Sequence, residues 1–482
     1  MANHLSIRRF GFWLGFGTFL LMLWLPPPEG LSIAGWQVAA LTVLIGCWWF
    51  TEAVPVTLTG SLPFLLLPLL GVAKPEVVAS QYMSPVLFLI LGGTLIGAAF
   101  ERWNLHRRVA LFVVARANPE PRAMLFNVMA VTALLSMWVN NSATTVMMLP
   151  IATATLAAMV PNLDSSDVGK DRRNFAAAMV LGIALASNIG GFATPIGTPV
   201  NSIAVGILDR SFDVQISFVE WMAFGIPFAL LLLPICWWVL AFVTSPFRFE
   251  GSSRESVRAA IGVMGQMGTA EWRVIAVVTL VALAWVFQPW LTRWVPGISD
   301  AGIAIAGALL LALLPSGEQG STQRNLLEWE DAKRAPWYLI LLLGGGLALA
   351  DAVVKSGLSA WLGETLAIVS GLPLLPMLLA IAVMCALITE AASNVATATI
   401  FMPIAASLAL GANYDPVLAA LAAAMAANLG FANPAATSSN ALVYSTGRIP
   451  IAMMLKSGLW IDIFGAIAIA VLCFLIVPLL PL

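Results

Sequence analysis

The chain has 482 residues, 60% of them hydrophobic and 10% charged, with 23 basic against 24 acidic side chains and a mean hydropathy of +0.93. A soluble protein of this length carries roughly a quarter charged residues, so a soluble globular fold is excluded, and so is a nucleic-acid-binding surface. The four cysteines lie in separate apolar runs and only His4 and His106 are histidines, so disulfide, zinc, haem and redox chemistry are not expected.

Apolar runs long enough to cross a bilayer recur from Phe10 to the last residue. The first, 10–25, follows Arg8-Arg9 and ends in Pro26-Pro27-Pro28-Glu29 without a cleavage site, so it reads as a retained span. Further spans are expected near 34–52, 57–72 and 84–100, followed by an interfacial helix from Glu101 to about Arg116. A hairpin at about 123–159 leads to spans near 175–206 and 216–245. The second half has spans near 272–290, 300–314 and 336–353, a surface helix to about 365 and a hairpin near 371–409. Spans near 414–445 and 457–480 complete an all-α polytopic membrane protein divided into halves at 1–250 and 251–482.

The basic residues set an orientation. If both hairpins dip in and return to their own side, Arg8, Arg9, Arg102, Arg107, Arg108, Arg116, Arg122, Lys170, Arg172 and Arg173 share one face. Arg248, Arg254, Arg258, Arg273, Arg324, Lys333, Arg334, Arg448 and Lys456 join them, and only Lys74, Arg210, Arg293 and Lys355 fall opposite. This bias places the N-terminus in the cytoplasm and the C-terminus outside, in an inner or plasma membrane.

An internal repeat organises the polar residues. Asn140-Asn141-Ser142 and Ser393-Asn394-Val395 each precede an apolar turn closed by proline, with Asn141 as far from Pro150 as Asn394 is from Pro403. Leu91-Gly92-Gly93 is echoed by Leu343-Gly344-Gly345, Leu105 by Leu358, and Ser136 by Thr389. Downstream, Phe192-Ala193 followed by Pro195, Thr198 and Asn201 is echoed by Phe431-Ala432 followed by Pro434, Thr437 and Asn440. The charged loop from Asp164 to Arg173 absorbs the one change of spacing. The count of spans between the hairpins makes the two repeats inverted.

A Pro-x-x-Thr-x-x-Asn segment rich in glycine is not expected to continue as a straight helix, because proline removes a hydrogen bond and glycine loosens the backbone. An unwound chain at membrane depth is tolerated only around a cavity or inside protein. Two hairpin tips and two broken helices therefore bring half-helix ends together near the midplane. Their N-termini suit an anion, while freed carbonyls and Asn, Ser and Thr oxygens suit a hard cation such as Na⁺. No Lys, Arg or His occurs in these tips or breaks, so co-bound cations would supply the missing positive charge. Small polar residues also serve helix packing, but that alone does not explain two matched copies. Glu52 and Glu390 are intramembrane acids for which a functional and a structural role stand equally open. Asp351 and Asp462 read as interfacial or packing residues, and most of the 18 tryptophans as interfacial anchors.

At these residues, and through nearly its whole length, the chain resembles the divalent anion/sodium symporter family of di- and tricarboxylate and sulfate carriers. Thr51-Glu52-Ala53-Val54-Pro55, the Gly92-Gly93 helix running into Trp103-Asn104-Leu105-His106, and Gly344-Gly345-Gly346 also carry the likeness. The resemblance implies an elevator-type carrier of about 11 transmembrane helices and two re-entrant hairpins, with scaffold and transport parts, working as a homodimer in lipid. It implies one Na⁺ site at Ser136, Asn140, Asn141 and the Gly197 carbonyl. A second would involve Thr389, the Ala392 carbonyl, Asn394 and the Ala436 carbonyl. Substrate carboxylates would meet Asn141, Ser142, Thr198 and Pro199 on one side and Asn394, Val395, Thr437 and Ser438 on the other.

The first tip has Asn140-Asn141-Ser142 where the family has Ser-Asn-Thr, which keeps both oxygens; Val395 stands where the family has a threonine hydroxyl, and Ser438 is expected to supply an extra one. The implied activity is Na⁺-coupled import of a divalent organic anion such as succinate, malate or fumarate, with a citrate or sulfate symporter or a dicarboxylate exchanger as alternatives. An anion channel is the alternative of a different class, without a ring of pore charges to favour it. An enzyme is not expected.

Overall fold

The computed structural model describes residues 2–116, 118, 120–161, 163, 168–250, 265–317, 324–333, 335, 337–365 and 371–479. Arg254, Arg258, Arg334 and the start of the second half at 251 lie outside the described residues. The described residues form helices, with a single isolated bridge between Pro315 and Asn325 and no strand.

In chain order the first half contains α1 (Ala2–Trp24), α2 (Ile33–Thr51), α3 (Pro85–Arg102), α4 (Leu105–Arg116), α5 (Pro121–Ser136), α6 (Asn141–Met159), α7 (Lys170–Gly191), α8 (Pro199–Phe212) and α9 (Phe218–Trp238). The second half contains α10 (Thr269–Val286), α11 (Asp300–Leu313), α12 (Leu339–Lys355), α13 (Leu358–Thr365), α14 (Leu374–Ala391), α15 (Asn394–Gly411), α16 (Pro416–Ala427), α17 (Ser438–Tyr444) and α18 (Ile451–Leu475). Among the described residues nine helices are long and apolar enough to cross a membrane, or ten if the pair α12 and α13, bent by 64°, counts as one span. Shorter apolar helices include α5, α11 and α16. The protein is an integral membrane protein.

Local chemistry sets the ends. Ser32 caps α2 by accepting the Gly35 N–H, the Glu120 side chain accepts from Ala123 at the start of α5, and Ser217 with Glu220 forms a reciprocal capping box on α9. The run expected as one span at 57–72 is instead two short helices, Val56–Thr59 and Leu62–Leu69. Gly60 sits at their junction, and its carbonyl is taken by the Tyr82 hydroxyl at 2.6 Å instead of a fourth-residue amide.

The most enclosed element is α7, 94% buried over its apolar window, so its polar side chains face protein on every side. Large apolar residues such as Phe10, Trp13, Leu230 and Leu313 are exposed on outer faces, as expected where hydrocarbon is the solvent. The glycine motif of α12 is a packing device. Tyr82 lies on Gly344, the Gly60 backbone on Gly345, and Thr399 of α15 on Gly346. Gly92 of α3 meets the Ala304–Ile305 backbone of α11 in the same way, and Gly93 meets Ile196. Ion pairs join the two halves at one end: Arg102 to Glu328 at 3.0 Å and to Asp331, and Arg108 to Glu271 at 2.8 Å.

A methyl group on Gly345 would overlap the Gly60 carbonyl oxygen, which cannot retreat as a flexible side chain would. Gly345→Ala is expected to destabilise the protein by about 1–3 kcal/mol, whereas Gly17→Ala, with open space around it, is neutral. Thermal unfolding of the two purified variants in detergent measures the difference.

Candidate functional site

The matched motifs produce matched local geometry. At the first hairpin tip Asn140 caps α6, its side-chain oxygen accepting the Ser142 N–H at 2.8 Å, and Ser136 donates to Asn141 Oδ1 at 2.7 Å. At the second, Thr389 lies 2.7 Å from Asn394 Oδ1 and 2.7 Å from the Ala427 carbonyl oxygen. The residue before each tip, Ser136 or Thr389, thus fixes the asparagine that opens the returning helix.

The breaks explain the Thr-x-x-Asn spacing. Thr198 caps α8 with φ −136° and ψ 150°, and Thr437 caps α17 with φ −135° and ψ 151°. Each threonine oxygen accepts the N–H of the asparagine three residues on, at 3.3 Å from Asn201 and 3.1 Å from Asn440. Each asparagine amide then stitches the unwound chain: Asn201 donates to the Gly191 and Thr194 carbonyls at 2.8 and 2.7 Å. Asn440 donates to the Gly430 and Asn433 carbonyls, both at 3.1 Å. Carbonyls freed by unwinding would each cost kilocalories if left bare in a buried site, and one side chain per break answers two of them. Glycine is required at both. A methyl on Gly191 would lie 2.6 Å from Asn141 Oδ1, and Gly430 has φ +101°.

Two asparagines absent from the sequence-based site cross between the halves. Asn188 of α7 lies 3.1 Å from Thr437 Oγ1, 3.3 Å from Asn440 Oδ1 and 3.4 Å from Asn141 Nδ2. Asn428, just past α16, lies 2.8 Å from Asn201 Oδ1 and 3.1 Å from Thr198 Oγ1. Each half supplies the amide that completes the other half's break. A signal for them is present: Asn188-Ile189-Gly190 and Asn428-Leu429-Gly430 both run into Phe-Ala.

These elements enclose a cavity of about 600 Å³. Asn140, Asn141, Ser142, Gly197, Thr198, Pro199, Ala392, Asn394, Val395, Ala436, Thr437 and Ser438 all line it. Ser136 and Thr389 lie one layer behind, fully buried. The Ser142 and Ser438 hydroxyls meet across it at 2.5 Å. The N-termini of α6, α8, α15 and α17 open on this space, directing partial positive charge and backbone N–H groups inward.

Formal charge is sparse. Among the described residues Arg8 is the one cationic residue lining this cavity, and it is paired with Glu52 at 2.9 Å. Glu52 closes α2 in a left-handed conformation, φ 47°. Glu390 accepts the Ala432 and Asn433 N–H groups, both at 2.7 Å. Asp351 pairs with Lys355, whereas Asp462 accepts backbone N–H groups of the second break. A second cavity of about 1070 Å³ shares Asn140, Ser142, Gly197, Pro199 and Tyr338 with the first and is lined by Arg102, Arg324, Glu328 and Asp331. His106 also lines it; burial lowers the pKa of its imidazole, keeping it neutral near pH 7. Among the described residues no group of three or more His, Cys, Asp or Glu is arranged to hold a metal ion; besides Glu52 and Glu390, the chamber offers a cation oxygen donors from Asn, Ser, Thr and backbone.

Fold and chamber together define a helical integral membrane protein with an internal polar site. Comparison with known proteins gives its family: residues 13–480 match the sodium:sulfate symporter transmembrane region, and the chain belongs to this family. It is 36% identical over 473 residues to the sodium-dependent dicarboxylate transporter SdcS of Staphylococcus saprophyticus, covering 97% of this chain and 91% of that one. It is 35% identical over 474 residues to SdcS of Staphylococcus aureus strain USA300, again covering 97% and 91%. In fold it is similar to the Alcanivorax borkumensis YdaH transporter, with TM-score 0.58, 14% identity and coverage of 82% of this chain and 86% of that one. Neisseria gonorrhoeae MtrF gives TM-score 0.59 at 14% identity, with 96% and 94% covered.

The crossing asparagines generate a paired expectation. Removing either amide breaks two hydrogen bonds to the opposite break, each worth about 1 kcal/mol or more when buried. Asn188→Ala and Asn428→Ala are each expected to weaken solute binding at the chamber by about tenfold or more while the protein still folds. Ligand-dependent thermal shift of the purified variants is the measurement.

Proposed function

We propose that the protein is a Na⁺-coupled symporter that imports divalent organic anions, C4-dicarboxylates such as succinate, malate or fumarate, by alternating access. The observation that carries this reading is the convergence of four helix N-termini on a cavity whose one lining cation among the described residues, Arg8, is already paired with Glu52. Such a chamber offers a dianion helix N-termini and N–H groups but no free formal positive charge, since Arg8 is paired with Glu52 and Glu390 also lines it, and co-transported Na⁺ supplies that charge. The names of the staphylococcal relatives, sodium-dependent dicarboxylate transporters, agree with that chemistry.

In this reading Asn141, Ser142, Thr198 and Pro199 receive one carboxylate, and Asn394, Val395, Thr437 and Ser438 the other. Ser136, Asn140, Asn141 and the Gly197 carbonyl hold one Na⁺. Thr389, Asn394 and the Ala392 and Ala436 carbonyls hold a second. The short Ser136–Asn141 and Thr389–Asn394 distances bring two side-chain oxygens together at each tip, and an all-oxygen set suits a small hard ion, which supports this reading. Hairpins α5–α6 and α14–α15 are read as re-entrant, the halves as inverted repeats, and the chamber as the transport part of an elevator within a homodimer. Both cavities then open to the cytoplasm, the side of Arg8, Arg102 and Arg324, and the C-terminus lies outside.

Labelled-succinate uptake into proteoliposomes, with and without an inward Na⁺ gradient, tests the reading. Na⁺-dependent, saturable uptake is expected, and uptake that requires internal dicarboxylate but no Na⁺ would make the protein an exchanger. Asn141→Ala and Asn394→Ala should each abolish uptake without loss of the folded protein; wild-type transport in both would overturn the site assignment. Val395 is buried beside Asn394 and brings no hydroxyl to the cavity, and Ser438 faces it from the second break. A citrate carrier of the same family is the second reading, and this position tests it. Val395→Thr is expected to raise preference for succinate over citrate by about tenfold, the worth of one hydrogen bond, in competition uptake.

A further inference from the structure

The two breaks are alike in their Thr-x-x-Asn stitching and unlike in what holds the backbone just before it. In the first, helix α7 runs on to Gly191, and the next amides return to the chain itself: Phe192 N–H to the Ile189 carbonyl at 3.3 Å and Ala193 N–H to the Gly190 carbonyl at 3.0 Å. In the second, α16 stops at Ala427, and after Asn428 and Leu429 the chain swings out of helical geometry at Gly430. Four consecutive amides then leave the backbone ladder for two carboxylates. Gly430 and Phe431 donate to Asp462 Oδ1 at 3.2 and 3.3 Å. Ala432 and Asn433 donate to Glu390 Oε1 and Oε2.

The two carboxylates come from different elements. Asp462 is buried midway along α18, 6% exposed, and Glu390 is the penultimate residue of α14, next to Thr389. Met137 follows Ser136 as Glu390 follows Thr389. The anchor common to both copies is a backbone carbonyl: Thr194 Oγ1 donates to the Met137 carbonyl at 2.5 Å, and Asn433 Nδ2 to the Glu390 carbonyl at 3.0 Å. The carboxylates are an addition peculiar to the second copy. The amides of the first break return to their own chain, whereas those of the second are held from outside by α14 and α18.

From this difference we infer that Asp462 and Glu390 are positioning residues for the second Na⁺ site. They act as hydrogen-bond acceptors that fix the Gly430–Asn433 backbone and, through it, the Ala436 carbonyl. The inference rests on the cation sites proposed above. Neither carboxylate is a ligand in this role. Asp462 works through backbone geometry, since its Oδ1 binds two adjacent N–H groups that no carbonyl in the break is placed to accept. An amide oxygen in the same place serves equally, so the role requires an acceptor and not a negative charge.

The test compares Asp462→Ala with Asp462→Asn. Asp462→Ala leaves two buried amides without an acceptor, and the Na⁺ concentration giving half-maximal succinate uptake is expected to rise about tenfold or more. The succinate KM measured at saturating Na⁺ is expected to stay within about twofold of wild type, because Asp462 does not line the chamber and bound Na⁺ re-orders the break that carries Thr437 and Ser438. Asp462→Asn, which keeps an oxygen at Oδ1, restores the Na⁺ dependence to within about twofold. Wild-type Na⁺ dependence in Asp462→Ala would overturn the assignment, and so would an Asn variant as impaired as the Ala variant.

If Asp462→Ala does not fold, Glu390→Gln takes its place. It turns one acceptor into a donor facing the Ala432 or Asn433 amide, and the same rise in half-maximal Na⁺ at unchanged succinate KM is expected. Unchanged Na⁺ dependence there overturns the assignment equally. The Na⁺-induced thermal shift of the purified wild-type protein separates the two readings: without such a shift the Na⁺ sites themselves fail, whereas a shift that Asp462→Ala leaves intact removes only the positioning role.

Discussion

The constraint on which the structure depends is the satisfaction of backbone polar groups where helices are interrupted inside a low-dielectric interior. A continuous helix meets that need by itself; a tip or a break must be met by side chains. Here Asn201 and Asn440 close the carbonyls, Thr198 and Thr437 receive the amides, and Asn188 and Asn428 satisfy these groups in turn. The buried polar residues of α7 are therefore the condition under which unwound chain can exist at this depth. The same groups that solve the structural problem present oxygens and N–H donors to a cavity.

Glycine makes the interruptions compact. Gly191 lets Asn141 and Thr198 approach the first break, and Gly430 turns the second out of its helix with a positive φ. Away from the site, the Gly344–Gly346 and Gly92–Gly93 motifs bring backbones of neighbouring elements into contact, where neither hydrophobic gain nor ion pairing in lipid would hold them as closely. The repeat motifs thus divide into a chemical set at the tips and breaks and a packing set on α3 and α12.

Much of this was legible in the sequence because two copies of the same unusual pattern sit inside apolar runs. The hairpin tips at Asn141 and Asn394, and the interruptions between α7 and α8 and between α16 and α17, follow from the polar and proline spacing. Asn188 and Asn428 escaped notice because each lies several residues ahead of the proline motif and works on the opposite half, a relation that spacing within one half cannot reveal. Arg8 also escaped, because a residue in the first helix reaches the chamber only through the folding of α1 against α2. The interruption at Gly60 was hidden in a run whose composition alone suits a continuous span. Asp462 read as packing because a lone acid in a span gives no hint of which amides it will meet.

The reciprocal bonds of Asn188 and Asn428 have a consequence for how ligands are counted into the chamber. Asn188 touches Asn141 on one side and Thr437 and Asn440 on the other, so the first tip and the second break share one ordered asparagine. Asn428 likewise ties Thr198 and Asn201 to the end of α16, whose Ala427 carbonyl holds Thr389. In the proposed reading each cation site is thereby built partly on groups that the other immobilises. The first ion to enter bears most of the ordering entropy, and the second meets a chamber already stiffened. Occupancy then rises sigmoidally with ion concentration, and that cooperativity arises from shared rigidity with no change of shape between the sites.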